Sequence, residues 1–462
     1  MEVTKMKIRR ISFIEAGASG FQMLRKYHIA RTGTVLLSTL LRDQGYEVKA
    51  FIEDISKPDW DYIESSDLVC ISTLTSTAMR AYRIGERVRA KGIPVIMGGV
   101  HPSFLPEESL AYSDFVLRGE ADFTLPQLIR HMETGTPAAE DIRGLSFRNN
   151  SGFVHNRQGD FITEEELNAL PFPDFSLVHN WKPSIIYPVA TSRGCPFECR
   201  FCSVITMFGR KYRFKPVENT LRELRYINTV SKATKFFVDD NFTANKQRSK
   251  DLMRGMIAEG LTSTWVAQVR ADVANDTELL RLMADSGCHT LYIGFESINP
   301  ETLKAYNKKQ GVEDIVKCVK TVRDHGIHIH GMFVLGADSD DVEMIRKTAD
   351  FAINVGIDTT QIMSLTPLPG TPLFAEMEQD GRLLHKDWSK YNLQHVVFRP
   401  AQMTPKTLQM ETLKGMGRFY SWKYILKHLA RFDLHYVAVG FFGRKVVSKT
   451  LKEVTPYIDT VA

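Results

Sequence analysis

The sequence predicts an α/β protein with two parallel sheets and a helical C-terminal segment. Two stretches of the 462-residue chain alternate short apolar runs with amphipathic segments of helix length, as parallel strands joined by crossover helices do. Residues 137–185 interrupt this alternation. We therefore expect a doubly wound, flavodoxin-like parallel sheet domain over 1–136, a linker with a hairpin over 137–185, a partial (β/α)6 barrel of the TIM type over 186–375, and a mainly helical cap over 376–462.

Five apolar runs in the first stretch have the length of strands, and three amphipathic segments among them have the length of helices. The predicted strands are 11–14, 48–52, 68–72, 95–97 and 115–117. The predicted helices lie near 34–44, 76–90 and 123–131. Ligands of a doubly wound sheet bind beyond the carboxyl ends of its strands, so the small residues that follow these strands indicate a ligand-binding edge.

The interruption itself contains two distinct pieces. Residues 144–148 and 153–155 are short strand-like runs joined by an Asn- and Gly-containing turn, which predicts a β-hairpin. Residues 170–174 contain two prolines and predict an extended connection. We expect the domain boundary here.

In the second stretch, strand and helix patterns alternate six times. The predicted strands are 189–192, 235–238, 265–269, 290–294, 328–335 and 361–365. Cofactor and substrate residues of a TIM-type barrel lie at the carboxyl ends of its strands, so the residues that follow these runs are the candidates for chemistry.

The composition is that of a globular protein, with 43% apolar and 24% charged residues. Three of its six cysteines are close together, while Cys70, Cys288 and Cys318 stand alone in apolar stretches, so we expect no disulfides and a reducing, cytoplasmic setting. The N-terminus lacks the apolar core of a signal peptide, and no apolar run is long enough to span a bilayer. With a net charge of only +5, we expect no nucleic-acid partner.

Basic and aromatic residues are concentrated near the C-terminus. Nine Lys or Arg and the single acid Asp433 lie between Lys414 and Lys452, with aromatic residues among them. Such a segment suits peripheral contact with an anionic membrane surface or binding of a lipid-like substrate. The alternative, which we favour, is a helical subdomain that packs its aromatic residues inward and exposes a basic face.

The most specific pattern in the chain is C-x3-C-x2-C, formed by Cys195, Cys199 and Cys202. A [4Fe–4S] cube takes one sulfur ligand per iron, so three thiolates leave one iron open to a small molecule. The alternative is a closed zinc site, which needs a fourth Cys or His. Apart from the triplet itself, His179 is the only Cys or His within twenty residues of it in the sequence. The pattern therefore favours an iron–sulfur cluster.

This spacing, with the aromatic Phe201 just before the last cysteine, closely resembles the signature of the radical S-adenosylmethionine (SAM) superfamily. The resemblance implies that the open iron binds the amino and carboxylate groups of SAM, and that an electron from the cluster cleaves SAM to a 5′-deoxyadenosyl radical. It also implies an external electron donor of the flavodoxin or ferredoxin type and places Phe201 near the adenine. Gly194 and Pro196 suit the unusual backbone of a loop that wraps a cluster.

The same resemblance assigns SAM-binding roles to residues that end the predicted barrel strands. Asp239 and Asp240 follow the second strand, and their oxygens suit the amino group of SAM. The alternative for this run is a helix N-terminus capped by a neighbour such as Asn241 or Thr243.

Gln268 and Arg270 end the third strand, where a guanidinium suits the SAM carboxylate. The alternative for Arg270 is an internal salt bridge with Glu296 or Asp272. Glu296 ends the fourth strand in a motif that closely resembles the family's, which implies that its carboxylate takes the ribose hydroxyls.

Leu335 and Gly336 end the fifth strand, where exposed backbone would admit the adenine. His328 and His330 share one face of that strand. They are either acid/base groups for a substrate or hydrogen-bonded core histidines.

The strand-end residues of the first stretch resemble the cobalamin-binding domain that is fused to one branch of radical SAM enzymes. The residues that this resemblance assigns to cobalamin are Ser72, Thr73, Thr75, Gly98, Gly99, His101, Arg118, Gly119 and Glu120. We expect His101 to line the pocket and not to bind cobalt. The D-x-H-x-x-G loop that supplies a cobalt ligand in many cobalamin proteins is missing. Cobalamin is therefore bound without a protein ligand below cobalt, or the domain is only a scaffold.

Together these regions resemble the cobalamin-dependent radical SAM family that includes methyltransferases and the anaerobic magnesium-protoporphyrin monomethyl ester cyclase. The resemblance implies that the enzyme activates a C–H bond and methylates an unactivated carbon of a small, hydrophobic molecule. Cyclisation, oxidation or carbon–carbon coupling of a lipid or tetrapyrrole-like substrate is the catalytic alternative. A cobalamin or redox sensor is the non-enzymatic one, and it would need no SAM-binding residues.

Overall fold

The computed structural model describes residues 6–18, 29–182 and 186–461. Within these ranges the chain forms two compact units. The first contains residues 6–18, 29–182, 186–194 and 203–216, and the second contains residues 195–202 and 217–461. The described part of the predicted linker, 137–182, thus belongs to the first unit, while its residues 183–185 lie outside the described ranges.

The first unit carries the doubly wound sheet. Its strands are β1 (Arg10–Glu15), β2 (Glu47–Ile52), β3 (Leu68–Ser72), β4 (Val95–Gly98), β5 (Phe115–Leu117), β6 (Leu145–Asn149), β7 (Gly152–His155), β8 (Ile186–Val189), β9 (Ser192–Arg193) and β10 (Arg213–Phe214). Its helices are α1 (Thr32–Asp43), α2 (Trp60–Glu64), α3 (Ala78–Arg89), α4 (Val100–Phe104), α5 (Pro106–Leu110), α6 (Thr124–Thr134), α7 (Glu164–Ala169) and α8 (Val204–Phe208). The five strands and three long helices predicted here are confirmed.

Strands β1 to β5 pair in parallel in the order β2-β1-β3-β4-β5, and the antiparallel hairpin β6-β7 continues the sheet beyond β5. Most residues of β1 and β3 are buried, as strands covered on both faces must be. The strand order reverses between β1 and β3, where such sheets bind ligands. The predicted hairpin is confirmed, but it extends the first sheet and does not connect two domains.

The second unit contains the cysteine loop and a second parallel sheet. Its strands are β11 (Thr234–Phe237), β12 (Trp265–Val269), β13 (Cys288–Glu296), β14 (His328–Leu335) and β15 (Thr359–Ser364). Its helices are α9 (Val217–Val230), α10 (Lys246–Ala258), α11 (Thr277–Asp285), α12 (Pro300–Ala305), α13 (Val312–Asp324), α14 (Val342–Val355), α15 (Pro372–Gln379), α16 (Pro405–Phe419), α17 (Trp422–Leu429) and α18 (Leu434–Val461).

These five strands are neighbours in chain order and all parallel. The strand predicted at 189–192 falls across β8 and β9, and β8 is the sixth strand of this sheet, whose order is β15-β14-β13-β12-β11-β8. Along β14, buried residues alternate with half-buried ones, so one face of the sheet is covered and the other is partly open. The open face presents His330, Met332 and Val334.

The C-terminal segment is helical, as predicted, and packs part of its aromatic content inward. The hydroxyl of Tyr420 donates to the carbonyl of Thr360 at 2.8 Å, and that of Tyr424 donates to the carbonyl of Asp358 at 2.7 Å. Helix α16 packs against α14 and β15. Among the described residues, no helix combines the length and the apolarity that crossing a lipid bilayer requires.

Glu120 lies at the centre of a buried ion-pair network in the first unit. Its Oε2 accepts from Nη1 of Arg213 at 2.7 Å, and its Oε1 accepts from Nη1 of Arg193 at 3.0 Å. Arg193 donates two further bonds, of 2.6 and 2.9 Å, to Asp122. The side chains of Arg213 and Glu120 are only 2% and 4% exposed, so each charge depends on the other for compensation.

We predict that Arg213→Met lowers the free energy of unfolding by about 3–5 kcal/mol, because it leaves part of the Glu120 charge buried without a partner. Chemical denaturation measures this loss. The matched control is Arg143→Met, since Arg143 and Asp160 form an exposed pair at 3.8 Å. That control should cost less than about 1 kcal/mol. Equal losses in the two variants would contradict a structural role for the network.

Candidate functional site

The three cysteines lie on the short loop from Cys195 to Cys202. Cys199 is buried and the other two are half-buried. The backbone N–H of Cys202 donates to the carbonyl of Cys199 at 3.1 Å, which closes a turn within the loop. No three His, Cys, Asp or Glu side chains of the described ranges form a group that could hold a single metal ion.

Gly194, just before the loop, has the positive φ that the sequence predicts for it. Its φ is +85°, and a Cβ there would lie 2.6 Å from the carbonyl oxygen of Lys211 and 3.0 Å from that of Gly209. Any other residue would therefore have to displace backbone.

Other segments of the second unit hold the loop in place. The side-chain amide of Asn307 donates to the carbonyl of Glu198 at 3.3 Å. The N–H of Leu373 donates to the carbonyl of Arg200 at 3.4 Å, and the guanidinium of Arg200 pairs with Glu376.

Phe201 packs edge-to-face against Tyr306, with ring centroids 5.0 Å apart. Tyr306 is buried, and its hydroxyl has no hydrogen-bond partner among the described residues. Burial raises its pKa well above the ordinary value, and the nearby Asp340 and Glu296 add to the increase. A buried hydroxyl without a partner beside the loop is the kind of group that a bound ligand satisfies.

Asp239 and Asp240 follow β11 as predicted. Asp239 is buried, whereas the side chain of Asp240 is reached by solvent. Even so, desolvation, with help from Asp239, raises the pKa of Asp240 to about 7. The alternative of an N-cap at Asn241 or Thr243 is wrong, because Asn245 caps α10.

Arg270 lies against the cysteine loop. Its guanidinium stands over the ring of Phe197, 3.8 Å from the centroid. Burial raises the pKa of the Cys195 thiol, and the nearby Arg270 offsets only part of that rise. Among the described residues it forms no ion pair with Glu296 or Asp272. Gln268, two residues earlier, is half-buried and faces Tyr292 across the strand pair.

Glu296 lies in a strained turn at the end of β13. Its φ is +63°, the pairing with β14 shifts register at this point, and the N–H of Ser297 donates to the carbonyl of Phe295 at 2.8 Å. Such a conformation is costly for a residue with a side chain and persists mainly at functional sites. The carboxylate is buried and pairs with Nζ of Lys308 at 2.8 Å.

Lys308 and Tyr306 are absent from the residues predicted from sequence. They follow the short helix α12, with Asn307 between them. Tyr306 contacts Phe201, Asn307 bonds the carbonyl of Glu198, and Lys308 pairs with Glu296. The segment thus connects the cysteine loop to the end of β13. A lysine twelve positions after Glu296 has no motif spacing that reveals it.

Leu335 and Gly336 lie at the end of β14, but part of their backbone is already paired. The Leu335 carbonyl accepts from Leu365 at 2.8 Å, and the Gly336 N–H donates to Asp340 at 3.0 Å. Gly336 has a φ of +107°, and a Cβ there would lie 2.5 Å from Leu408.

The two histidines of β14 differ in their contacts. Nδ1 of His328 lies 3.7 Å from Asp358 at the start of the strand. Nδ1 of His330 bonds the Thr359 hydroxyl at 2.8 Å, its ring stacks near Tyr292, and burial lowers its pKa to about 4. His330 is therefore neutral near pH 7.

In the first unit, the residues after β3 and β4 meet closely. The Thr73 hydroxyl bonds that of Thr77 at 2.8 Å, while Thr75 is buried and Ser72 and Gly98 are half-buried. Gly99 has a φ of +97°, and a Cβ there would lie 2.7 Å from the Thr73 carbonyl oxygen. Only glycine allows this approach of the two strand ends.

The charged and aromatic members of this set have protein partners. His101 is buried, with Nε2 2.9 Å from the Tyr82 hydroxyl. Arg118 donates to the carbonyl of Asn156, and Glu120 bonds Arg193 and Arg213. Gly119 has a φ of +77°, and its N–H donates to the Ser103 hydroxyl at 2.9 Å.

The comparisons with known proteins agree on both units. Residues 189–352 match the Radical SAM superfamily, and residues 25–129 match the B12 binding domain. The bacteriochlorophyllide d C-12(1)-methyltransferase of Chlorobaculum tepidum is 30% identical over 398 residues, which cover 84% of this chain and 82% of that protein. The anaerobic magnesium-protoporphyrin IX monomethyl ester cyclase of Cereibacter sphaeroides is 27% identical, over 71% of this chain and 55% of its own length.

A solved structure shares the fold over almost the whole chain. The cobalamin-dependent S-adenosylmethionine radical enzyme OxsB, with aqua-cobalamin bound, aligns with a TM-score of 0.70 and 16% identity, over 97% of this chain and 76% of its own length. The strained Glu296, the cysteine loop and the glycine-lined strand ends thus lie in the two folds that such enzymes combine. The chain is an enzyme and belongs to the cobalamin-dependent radical SAM family, whose cofactors are a [4Fe–4S] cluster, SAM and cobalamin.

Proposed function

We propose that this enzyme methylates an unactivated carbon of a small, hydrophobic molecule. The observation that supports a SAM-cleaving site most directly is the grouping of the cysteine loop with Arg270, Asp240 and the Glu296–Lys308 pair in one unit. When bound, the family's cofactors supply the electron that cleaves SAM, the radical that removes a hydrogen atom and the methyl group. An external flavodoxin- or ferredoxin-type protein is the proposed source of electrons.

The residues of the second unit fit the cofactors by chemistry and by position. Cys195, Cys199 and Cys202 would hold three irons of the cluster, because their thiols share one short loop. Asp239 and Asp240 would accept hydrogen bonds from the SAM amino group.

At the next strands, Arg270 and Gln268 would bind the SAM carboxylate, and Glu296 would bind the ribose hydroxyls. Phe201 would pack beside the adenine. Leu335 and Gly336 would contact it only through groups that Leu365 and Asp340 leave open.

The first unit offers a glycine-lined edge for cobalamin. Ser72, Thr73, Thr75, Gly98 and Gly99 would line the corrin, since their small side chains admit a large flat ligand. The remaining residues of the set are His101, Arg118, Gly119 and Glu120. We propose that they stabilise the loops around the corrin through the hydrogen bonds described above.

A hydrophobic substrate fits the partly open face of the second sheet. Phe236, Tyr292, Met332 and Val334 are half-buried there, and the rings of Phe236 and Tyr292 stack 5.4 Å apart. The similar proteins are named for a bacteriochlorophyllide and a magnesium-protoporphyrin ester, which are large apolar macrocycles. Cyclisation is the second candidate, supported by the cyclase relative.

We also propose that the segment from Lys414 to Lys452 makes peripheral contact with a membrane.

We predict that Cys202→Ala abolishes both the visible absorbance of the reconstituted cluster and SAM cleavage, because each thiolate binds one iron. Anaerobic reconstitution followed by absorbance and 5′-deoxyadenosine assays measures the two effects. Cys70→Ala, Cys288→Ala and Cys318→Ala are matched controls, since these thiols are buried elsewhere, and they should keep a full cluster. SAM cleavage by the Cys202 variant would refute the assignment.

We predict that Glu296→Gln and Lys308→Met each weaken SAM binding by roughly 10- to 100-fold, the range expected for loss of a charged hydrogen bond. Equilibrium dialysis of SAM against the reconstituted enzyme measures this without turnover. Lys308→Arg should restore binding, and Lys304→Met, at an exposed position of α12, should leave it unchanged. Wild-type affinity of the Glu296→Gln variant for SAM would contradict the proposal that Glu296 binds the ribose hydroxyls.

The reaction type is tested by the products. Methylation consumes one SAM for the radical and one for the methyl group, so 5′-deoxyadenosine and S-adenosylhomocysteine should accumulate in near-equal amounts. Anaerobic turnover followed by mass spectrometry measures both. If 5′-deoxyadenosine forms while S-adenosylhomocysteine stays at background, the enzyme is of the cyclase or coupling type.

A further inference from the structure

Two neighbouring helices near the C-terminus expose large apolar side chains in one continuous patch, here named the apolar hairpin surface. Its residues are Trp422, Leu426 and Leu429 on α17, Phe432 in the turn, and Leu434 and Phe441 on α18. Phe432 is 89% exposed, Leu434 69% and Leu426 59%. Single exposed apolar side chains are common on protein surfaces and need no explanation. Six of them within twenty positions of the chain are a concentration that does need one.

Helix α17 is apolar on two sides. Tyr424, Ile425 and His428 are buried against the protein. Trp422, Leu426 and Leu429 recur at spacings of four and three, so they form a second stripe within about 60° of the helix circumference. A helix with one side on a core and the other in water needs only one apolar stripe.

The two helices join their stripes through an aromatic contact. The rings of Trp422 and Phe441 meet edge-to-face, with centroids 5.6 Å apart, and both side chains remain about half exposed. Leu434 lies two turns before Phe441 on the same side of α18. Phe432 has a φ of +57° in the turn between the helices and forms the most exposed point of the patch.

Basic side chains border this surface. Lys423 and Lys427 stand beside the stripe of α17, and Arg431 precedes Phe432 in the turn; all three are exposed. The guanidinium of Arg444 lies over the Trp422 ring, 4.8 Å from its centroid. The one acid of the segment, Asp433, accepts a hydrogen bond from Nδ1 of His428 at 3.3 Å, so a single carboxylate stands against these four basic side chains.

Apolar side chains at a turn with lysine and arginine beside them match the chemistry of an anionic bilayer surface. The apolar groups enter the boundary between headgroups and acyl chains, and the cations meet lipid phosphates. A second copy of the chain fits less well, because the two basic borders would face each other. We propose that the apolar hairpin surface docks on an anionic phospholipid bilayer, with Phe432 and Leu434 inserted.

Docking itself is independent of the chemistry of the site. Its purpose rests on the proposed function: an enzyme for a hydrophobic substrate gains access to that substrate where it dissolves, in the membrane.

Sedimentation of the full-length, reconstituted enzyme with vesicles tests the proposal. The enzyme should sediment with phosphatidylcholine vesicles that contain phosphatidylglycerol and stay in solution with phosphatidylcholine alone. Phe432→Ser should lower the partition coefficient roughly tenfold. The double variant Lys423→Glu, Lys427→Glu should lower it by at least about 25-fold, since each basic residue near an anionic surface contributes about fivefold.

Val316→Ser is the matched control, because Val316 is 45% exposed and lies on α13, more than 100 positions before this surface in the sequence. The Val316→Ser variant should sediment like the wild type. The tryptophan emission should shift to shorter wavelength on vesicle binding, and Trp422→Phe should remove that shift. Both readouts apply to variants whose fold is verified by circular dichroism.

Three results would overturn the proposal: no sedimentation of the wild type with anionic vesicles, unchanged sedimentation of Phe432→Ser and of the double lysine variant, or equal binding to neutral vesicles. A lipid-free dimer that Phe432→Ser dissociates would instead make the patch an interface between copies. Loss of methylation with intact vesicle binding would refute the proposed function and leave the docking surface standing.

Discussion

A buried carboxylate needs a cation close by, and Nζ of Lys308 lies 2.8 Å from the carboxylate of Glu296. The backbone of Glu296 also has a positive φ, which is costly for a residue with a side chain. Removing either partner would leave a buried charge uncompensated, which typically costs several kcal/mol. Lys308 follows Tyr306 and Asn307, which contact the cysteine loop. The end of β13 and the loop therefore keep their relative positions through one short segment, and the geometry of the site depends on this ion pair.

Much of the fold follows from local patterns. Strands β3, β5, β12 and β14 have the predicted bounds, because apolar periodicity and turn residues are local properties. The hairpin β6-β7 was predicted, yet its membership in the first sheet was not. That membership depends on antiparallel pairing of β6 with β5, a contact between distant residues that periodicity does not encode. The first barrel strand, β8, begins three residues before the predicted run 189–192, because the pairing that sets its bounds is equally non-local.

The site divides in the same way. The cysteines and Glu296 stand out by spacing, whereas Lys308 is identified only once the chain after α12 is seen to fold back on β13. Glu120 was assigned to cobalamin from its position at a strand end. Its partners, Arg193 and Arg213, lie 73 and 93 residues later in the chain, so the sequence alone does not show that its oxygens are already used.

The anchoring of Arg200 also bears on how the enzyme matures. Its guanidinium pairs with Glu376, 176 residues later, and its carbonyl is bonded by Leu373 at the start of α15. Leu373 and Glu376 follow the last strand of the second sheet, so a ribosome must synthesise that whole sheet before these two contacts to the cysteine loop can form. Contacts of such long range form late because the intervening chain must first be ordered. A chain truncated before Leu373 would present its cysteines in a loop without either contact.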